Sequence, residues 1–175
     1  MLPRDAMWTL LTVCLLVSAA VYAAADANSS KLQIGSPAIS EGATIPTQFT
    51  CSGINQSPPL AWTGVPSNAK SLALILDDPD AASGTFTHWI VYDISPGRAG
   101  FKAGQVEGTQ GLNSLGQAGY MGPCPPPGNP HHYHFRLFAL DNNPNLRNQA
   151  DAQTLRDAMT GHLIQSAELV GMFGR

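Results

Sequence analysis

Charge is scarce in this chain: only 12% of its 175 residues are Asp, Glu, Lys or Arg, and the formal net charge is -3. No basic patch offers a footprint for nucleic acid, and no run of like charge suggests an interaction tail. A Gly-x-Ser-x-Gly elbow is missing, as are the glycine loops that cradle phosphates and any Cys-x-x-Cys pair. Nucleophilic catalysis and nucleotide turnover therefore lack their usual sequence support, and binding is favoured over turnover. No internal repeat or low-complexity tract is visible. What the chain does have is turn chemistry, with 17 glycines and 14 prolines, which fits a single β-rich domain better than a helical bundle.

The N-terminus reads as a leader. Arg4 precedes an apolar run at residues 7–17, and small residues follow through Ala25, the layout of a signal peptide over residues 1–25 with cleavage near Ala23 or Ala25. An uncleaved membrane anchor and a lipidated Cys14 are the alternatives, though the apolar run continues past Cys14. The expected location is periplasmic or secreted. Residues 26–31 are expected as a flexible tail and residues 32–175 as the folded domain. After cleavage two cysteines remain, Cys51 and Cys124. In an exporting compartment they are natural partners for a disulfide, and two separate half-buried thiols are the other possibility.

Along the mature chain, residues 32–34 and 45–51 are candidate short strands, and residues 60–62 a candidate edge strand. Residues 71–76 form a compact apolar run, residues 88–94 a second and residues 133–140 an alternating third. All three are expected in one mainly antiparallel sheet. Residues 97–119 are expected to be irregular. One helix is expected from 152 to 161 or slightly beyond, N-capped by Asp151 and covering an edge of the sheet, before a short last strand at 168–173.

The polar candidates sit at strand ends, where loops build pockets. Asp78 and Asp80 flank Pro79, His88 opens the second strand, and His131 and Tyr133 share a face of the third, beside the stiff Pro123-Cys124-Pro125-Pro126-Pro127 loop. Trp89 is expected nearby as an apolar wall. Read singly, Asp-Pro-Asp serves equally as a turn and His88 as packing. His131, His132 and His134 invite zinc, but alternation turns His132 and His134 away from His131, so no metal site is expected.

Several segments, in order, carry a family resemblance: Thr50-Cys51-Ser52-Gly53, Ser57-Pro58-Pro59-Leu60-Ala61-Trp62, Asp78-Pro79-Asp80-Ala81, His88-Trp89, Gly111-Leu112-Asn113-Ser114, Tyr120-Met121-Gly122-Pro123-Cys124-Pro125-Pro126 and Gly161-His162-Leu163. The chain resembles the phosphatidylethanolamine-binding protein family, also called Raf kinase inhibitor-like, in its bacterial branch. That resemblance implies a mainly β fold with few helices, in which a large antiparallel sheet packs with a smaller one. It also implies an anion pocket formed by Asp78, Asp80, His88, Pro125, His131 and Tyr133, with residues 111–122 as a lid. Two positions depart from the family pattern: Ala82 where a proline is usual, and His132 where an arginine is usual. The implied function is an exported, non-catalytic binding protein for phosphate-like or other small anionic head groups. His88 and His131 would tune that binding with pH. The alternatives are a module that inhibits a protease or kinase through the same surface, and a weak hydrolase. No cofactor is implied, no nucleic acid partner, and membrane contact only through lipid head groups.

Overall fold

The computed structural model describes residues 31–146 and 149–175; the expected leader and all of the tail but Lys31 lie outside them. Among the described residues, eight strands and one α-helix follow in chain order: β1 (Gln33–Gly35), β2 (Leu60–Thr63), β3 (Ser71–Asp78), β4 (Phe86–Ile94), β5 (Gly100–Phe101), β6 (Thr109–Gln110), β7 (His131–Leu140), α1 (Ala152–Met159) and β8 (Leu163–Phe173). A three-stranded sheet has the order β1-β2-β5 and a five-stranded sheet the order β6-β4-β3-β7-β8. All strand pairs are antiparallel.

Alternation sends the two faces of the large sheet to different partners. Leu72, Leu74 and Leu76 of β3 join Trp89 and Val91 of β4 and Tyr133, Phe135 and Leu137 of β7. Together they pack against Leu60, Trp62 and Phe101 of the small sheet. On the opposite face Ala73, Ile75, Ile90 and Tyr92 meet Leu155 and Met159 of α1. β3 is buried at every position because it is central and covered on both sides, which is why it reads as a continuous apolar run.

Several expectations need correction. Residues 45–51 are not a strand: Pro46 supplies no backbone donor, and the chain turns into a 3₁₀-helix at Thr47–Phe49, closed by Thr50 Oγ1 donating to the Thr47 carbonyl at 2.9 Å. The expected edge strand at residues 60–62 is the centre of the small sheet. The helix covers a face of the large sheet, not an edge, and it stops at Met159. Gly161, at φ +80°, turns the chain so that His162 and Leu163 leave the helix, and β8 runs for eleven residues. The connection at 97–119 carries two short strands, β5 and β6, within otherwise irregular chain.

β8 is the outer strand, and the described N-terminus lies against it: the Leu32 amide donates to Gln165 Oε1 at 2.7 Å. Near its C-terminal end β8 is flanked by residues 42–45, where the Gly42 amide donates to the Val170 carbonyl and the Ile45 amide to the Met172 carbonyl. Among the described residues no helix is long and apolar enough to cross a membrane.

Candidate functional site

The C-terminal end of β3, the start of β4 and the start of β7 meet at one rim of the large sheet. Register explains how. β3 and β4 pair Leu76 with Trp89 but Asp77 with Thr87, so β4 carries one extra residue, His88. This is a β-bulge, which re-aims the side chain of the extra residue. Strict alternation would place His88 on the face opposite Trp89. The bulge instead brings it against Tyr133, with ring centroids 5.3 Å apart, and Phe86, at 4.7 Å.

Asp78 is the centre of the cluster, its side chain only 4% exposed. Its Oδ1 accepts the Asp80 amide at 2.9 Å, the hydrogen bond that shapes the Asp-Pro-Asp turn. Oδ2 accepts from His131 Nδ1 at 2.7 Å and lies 4.0 Å from His88 Nε2. Asp78 thus shapes the turn through Oδ1 and meets the two imidazoles through Oδ2. Asp80 reaches the other face of β7, where its Oδ2 accepts from both the backbone amide (2.8 Å) and Nδ1 (2.7 Å) of His132. The Asp78-Pro79-Asp80 turn thus straddles the start of β7.

Met121 clasps His88 from the opposite side. The Met121 amide donates to the His88 carbonyl at 3.2 Å, and His88 Nδ1 lies 3.0 Å from the Met121 carbonyl. A carbonyl only accepts, so that nitrogen carries the hydrogen and Nε2 is left for other partners. Burial pushes the His88 imidazole below its ordinary value of 6.5; the Met121 hydrogen bond and the Asp78 and Asp77 charges oppose this. Tyr133 lies deeper. It is fully buried, stacked with the His131 ring at 6.5 Å, and its hydroxyl has no hydrogen-bond partner among the described residues. Burial, with the nearby Asp78 charge, drives its ionisation upward.

These groups line a cavity of about 260 Å³. Asp78, His88 and His131 supply its polar end, and Phe86, Leu115, Met121, Pro125 and Pro126 its apolar walls. Asp80 and His131 also border a second, shallower cavity of about 380 Å³ along the proline loop. Tyr133 backs the imidazoles without lining the wall, and Trp89 does not form the wall expected of it: it sits in the core with Nε1 donating to Gln110 Oε1 at 3.1 Å. The wall contributed by Phe86 and Leu115 was not anticipated from sequence, nor was the Met121 carbonyl, because a main-chain acceptor leaves no mark on residue type. A larger groove of about 540 Å³ opens elsewhere, beside β1 and β8; Lys31 lines it together with Arg136 and Glu168, which are paired with each other at 2.7 Å.

The proline loop is fastened rather than free. Cys124 is joined to Cys51, the Cys51 amide donates to the Pro123 carbonyl at 3.1 Å and Arg175 Nε to the Pro125 carbonyl at 2.7 Å. The Gly122 amide donates to Asn55 Oδ1 at 2.8 Å. A Cβ at Gly122 would lie 2.5 Å from both Asn55 Oδ1 and the Phe49 carbonyl oxygen, so only glycine permits this approach. The expected lid is likewise tied to β4, where Ser114 and Thr87 exchange hydrogen bonds at 2.8 and 2.9 Å. Leu115, 57% exposed, stands at its tip on the cavity rim. Among the described residues no group of three or more His, Cys, Asp or Glu is placed to hold a metal.

Two packed antiparallel sheets, one face covered by a single helix, with a small cavity at one strand-end rim, define the class of this β-rich fold. More particularly, the chain matches the phosphatidylethanolamine-binding protein family over residues 35–174 and belongs to it. It is similar in structure to the phosphatidylethanolamine-binding protein homologue of Chlamydia trachomatis. That similarity has a TM-score of 0.81 at 40% identity and covers 84% of this chain and 99% of that one. The UPF0098 protein of Pyrococcus abyssi is 50% identical over 140 residues, 75% of this chain and 79% of its own length. A Mycobacterium tuberculosis protein named as the lipoprotein LppC is 44% identical over 149 residues, 81% of this chain and 72% of that protein.

Proposed function

We propose that this protein is an exported, non-catalytic binding protein whose rim cavity receives a phosphate-like or other small anionic head group. The observation that carries the reading is the ordered arrangement at its polar end: a buried Asp78 carboxylate holding His131 at 2.7 Å, with His88 4.0 Å away. Asp78 fixes His131 by Nδ1, so Nε2 faces the ligand and, once the ring is protonated, donates to an anionic oxygen in a charge-assisted hydrogen bond. Pro125, Pro126 and Phe86 keep water from competing. The name of the LppC relative supports export.

Calorimetric titration with phosphoethanolamine and with inorganic phosphate tests the reading. Saturable binding that His131→Ala weakens by about tenfold or more is expected for loss of a charged hydrogen bond. Absence of binding between mildly acid and neutral pH, or an unchanged affinity in the variant, would sink it.

A second reading, docking of a protein partner over the same mouth, draws on the exposed Leu115 at the rim. It predicts that Leu115→Asp abolishes capture of the partner while leaving phosphoethanolamine affinity intact.

A further inference from the structure

β8 is the last strand of the large sheet, and only half of its outer side is closed. Val170 and Met172 turn their main-chain groups away from β7 and engage residues 41–45. The Gly42 amide donates to the Val170 carbonyl at 2.8 Å, the Ile45 amide to the Met172 carbonyl at 2.7 Å and the Met172 amide to the Ala43 carbonyl at 2.9 Å, while Glu41 Oε2 accepts the Val170 amide at 3.1 Å. Alternation turns Ser166 and Glu168 the same way. Among the described residues their outward amides and carbonyls meet no hydrogen-bond partner. β1 passes beside this stretch without laddering to it. Between them lies the groove of about 540 Å³, walled by residues 31–34 and lined on the sheet side by Arg136, Phe138, Ser166 and Glu168.

An open strand edge is a template for another strand. We infer that the occupant is a second copy of this chain, its β8 laid antiparallel against β8 so that the two five-stranded sheets become one. Sterics and charge both select the copy, and both fix one register. The covering segment of each molecule must clear the other. With the twofold axis at Ser166, Val170, where the cover begins, falls opposite His162, one residue before β8 starts. Residues 163–169 of the two copies then pair with neither cover displaced, whereas an axis nearer residue 170 drives the cover into the partner's strand. Ser166, small and uncharged, meets its own counterpart on the axis. Glu168 falls opposite Ile164. Lys31 stands at that end of the groove, next to Leu32, whose amide donates to Gln165 Oε1 at 2.7 Å. It has no ion pair among the described residues, and Glu168 receives His134 and Arg136 on Oε1 alone, each at 2.7 Å, so its Oε2 is left over. A lone charge on an edge keeps other chains off. A reversed copy instead brings Glu168 to Lys31 and Lys31 to Glu168, the reciprocal pattern of an isologous interface. Leu163, 52% exposed at the start of the same stretch, comes under the partner as well. Both rim cavities stay open, at opposite ends of the joined sheet, because His131 pairs with Phe173, far from the axis.

Analytical ultracentrifugation of the protein as its host processes it, with amide hydrogen exchange in dilute and concentrated solution, tests the inference. Pairing over so short a stretch lies at the low end of interface size, so a dissociation constant on the order of 10–100 µM is expected. It should rise about threefold or more between about 50 and 500 mM salt, as the Lys31–Glu168 pairs are screened. The Ser166 and Glu168 amides should exchange freely in the monomer and slow severalfold in the dimer. Ser166→Pro removes an amide that the monomer does not use, a change that edge strands tolerate, and should weaken dimerisation about tenfold or more. Lys31→Glu should weaken it severalfold and reverse its salt dependence. A protein that stays monomeric up to about ten times that dissociation constant overturns the inference. So does a dimer whose Ser166 and Glu168 amides remain unprotected, or an affinity that either folded variant leaves unchanged. Slow exchange of those amides already in the monomer overturns it too, because the chain's own upstream residues would then close the edge. Should Ser166→Pro not fold, Lys31→Glu and the exchange pattern decide alone.

Discussion

Two adjacent histidines, His131 and His132, each pair with an aspartate of one turn, yet their surroundings separate their roles. The His131–Asp78 contact is buried and faces the cavity, while the side chains of His132 and Asp80 are 49% and 42% exposed. Asp78→Asn is expected to weaken phosphoethanolamine binding about tenfold or more, because the carboxylate that holds His131 by Nδ1 is lost, and calorimetry reads it directly. His132→Ala should cost less than about 1 kcal/mol of stability in urea denaturation, with little change in affinity, as for solvated ion pairs generally. Alternation along β7 was enough to assign His131 and Tyr133 to one face and His132 to the other. It could not show that Tyr133 lies beneath the imidazoles rather than beside them, because depth depends on which strands pack above. Nor could it foresee the bulge, since strict alternation assigns His88 to the face opposite Trp89.

Among the elements, those with strong local signals were legible and those set by neighbours were not. The apolar run of β3 and the alternation of β7 announced themselves, and Asp151 caps α1 as its position suggested, its side chain accepting the Thr154 amide at 2.8 Å. Asp151→Ala should remove about 1 kcal/mol, measurable as a lower urea midpoint with an unchanged slope. β8 was underestimated because Gln165, Ser166 and Glu168 break its apolar pattern; it forms because β7 offers a ladder, from His131 facing Phe173 to Leu140 facing Leu163. The helix lies on the sheet face because Arg156 reaches the fully buried Asp77 at 2.6 Å, which Arg136 also approaches at 3.3 Å and Thr87 bonds at 2.7 Å. Removing both arginines strands that carboxylate, and a loss of about 3–5 kcal/mol in chemical denaturation is expected. The family resemblance supplied the two-sheet plan that propensity alone did not.

For the whole molecule, pH acts in two steps. The folded state keeps His88 neutral where the unfolded chain would take a proton, so without ligand stability should fall as pH drops below about 6.5. His88→Phe should abolish that first decline in melting temperature, measured by scanning calorimetry. A second decline belongs to Asp80, Asp151 and Glu168. Each is held below its ordinary carboxylate value by partners that include His132, the Thr154 amide and His134 with Arg136. Their contribution is present at neutral pH and is lost as pH falls through their folded values, below about 4. Asp93, raised by burial, works against them. One feature of the outer strand sets the molecule's bearing toward any surface that holds it. Leu32 is fastened at Gln165, which pairs with Ala139, while the cavity opens at His131, eight residues earlier on β7. At about 3.4 Å per residue, the Leu32 anchorage and the mouth stand roughly 27 Å apart along the strand. The described N-terminal segment and the mouth of the cavity thus stand at opposite ends of β7, and a molecule seated at one leaves the other uncovered.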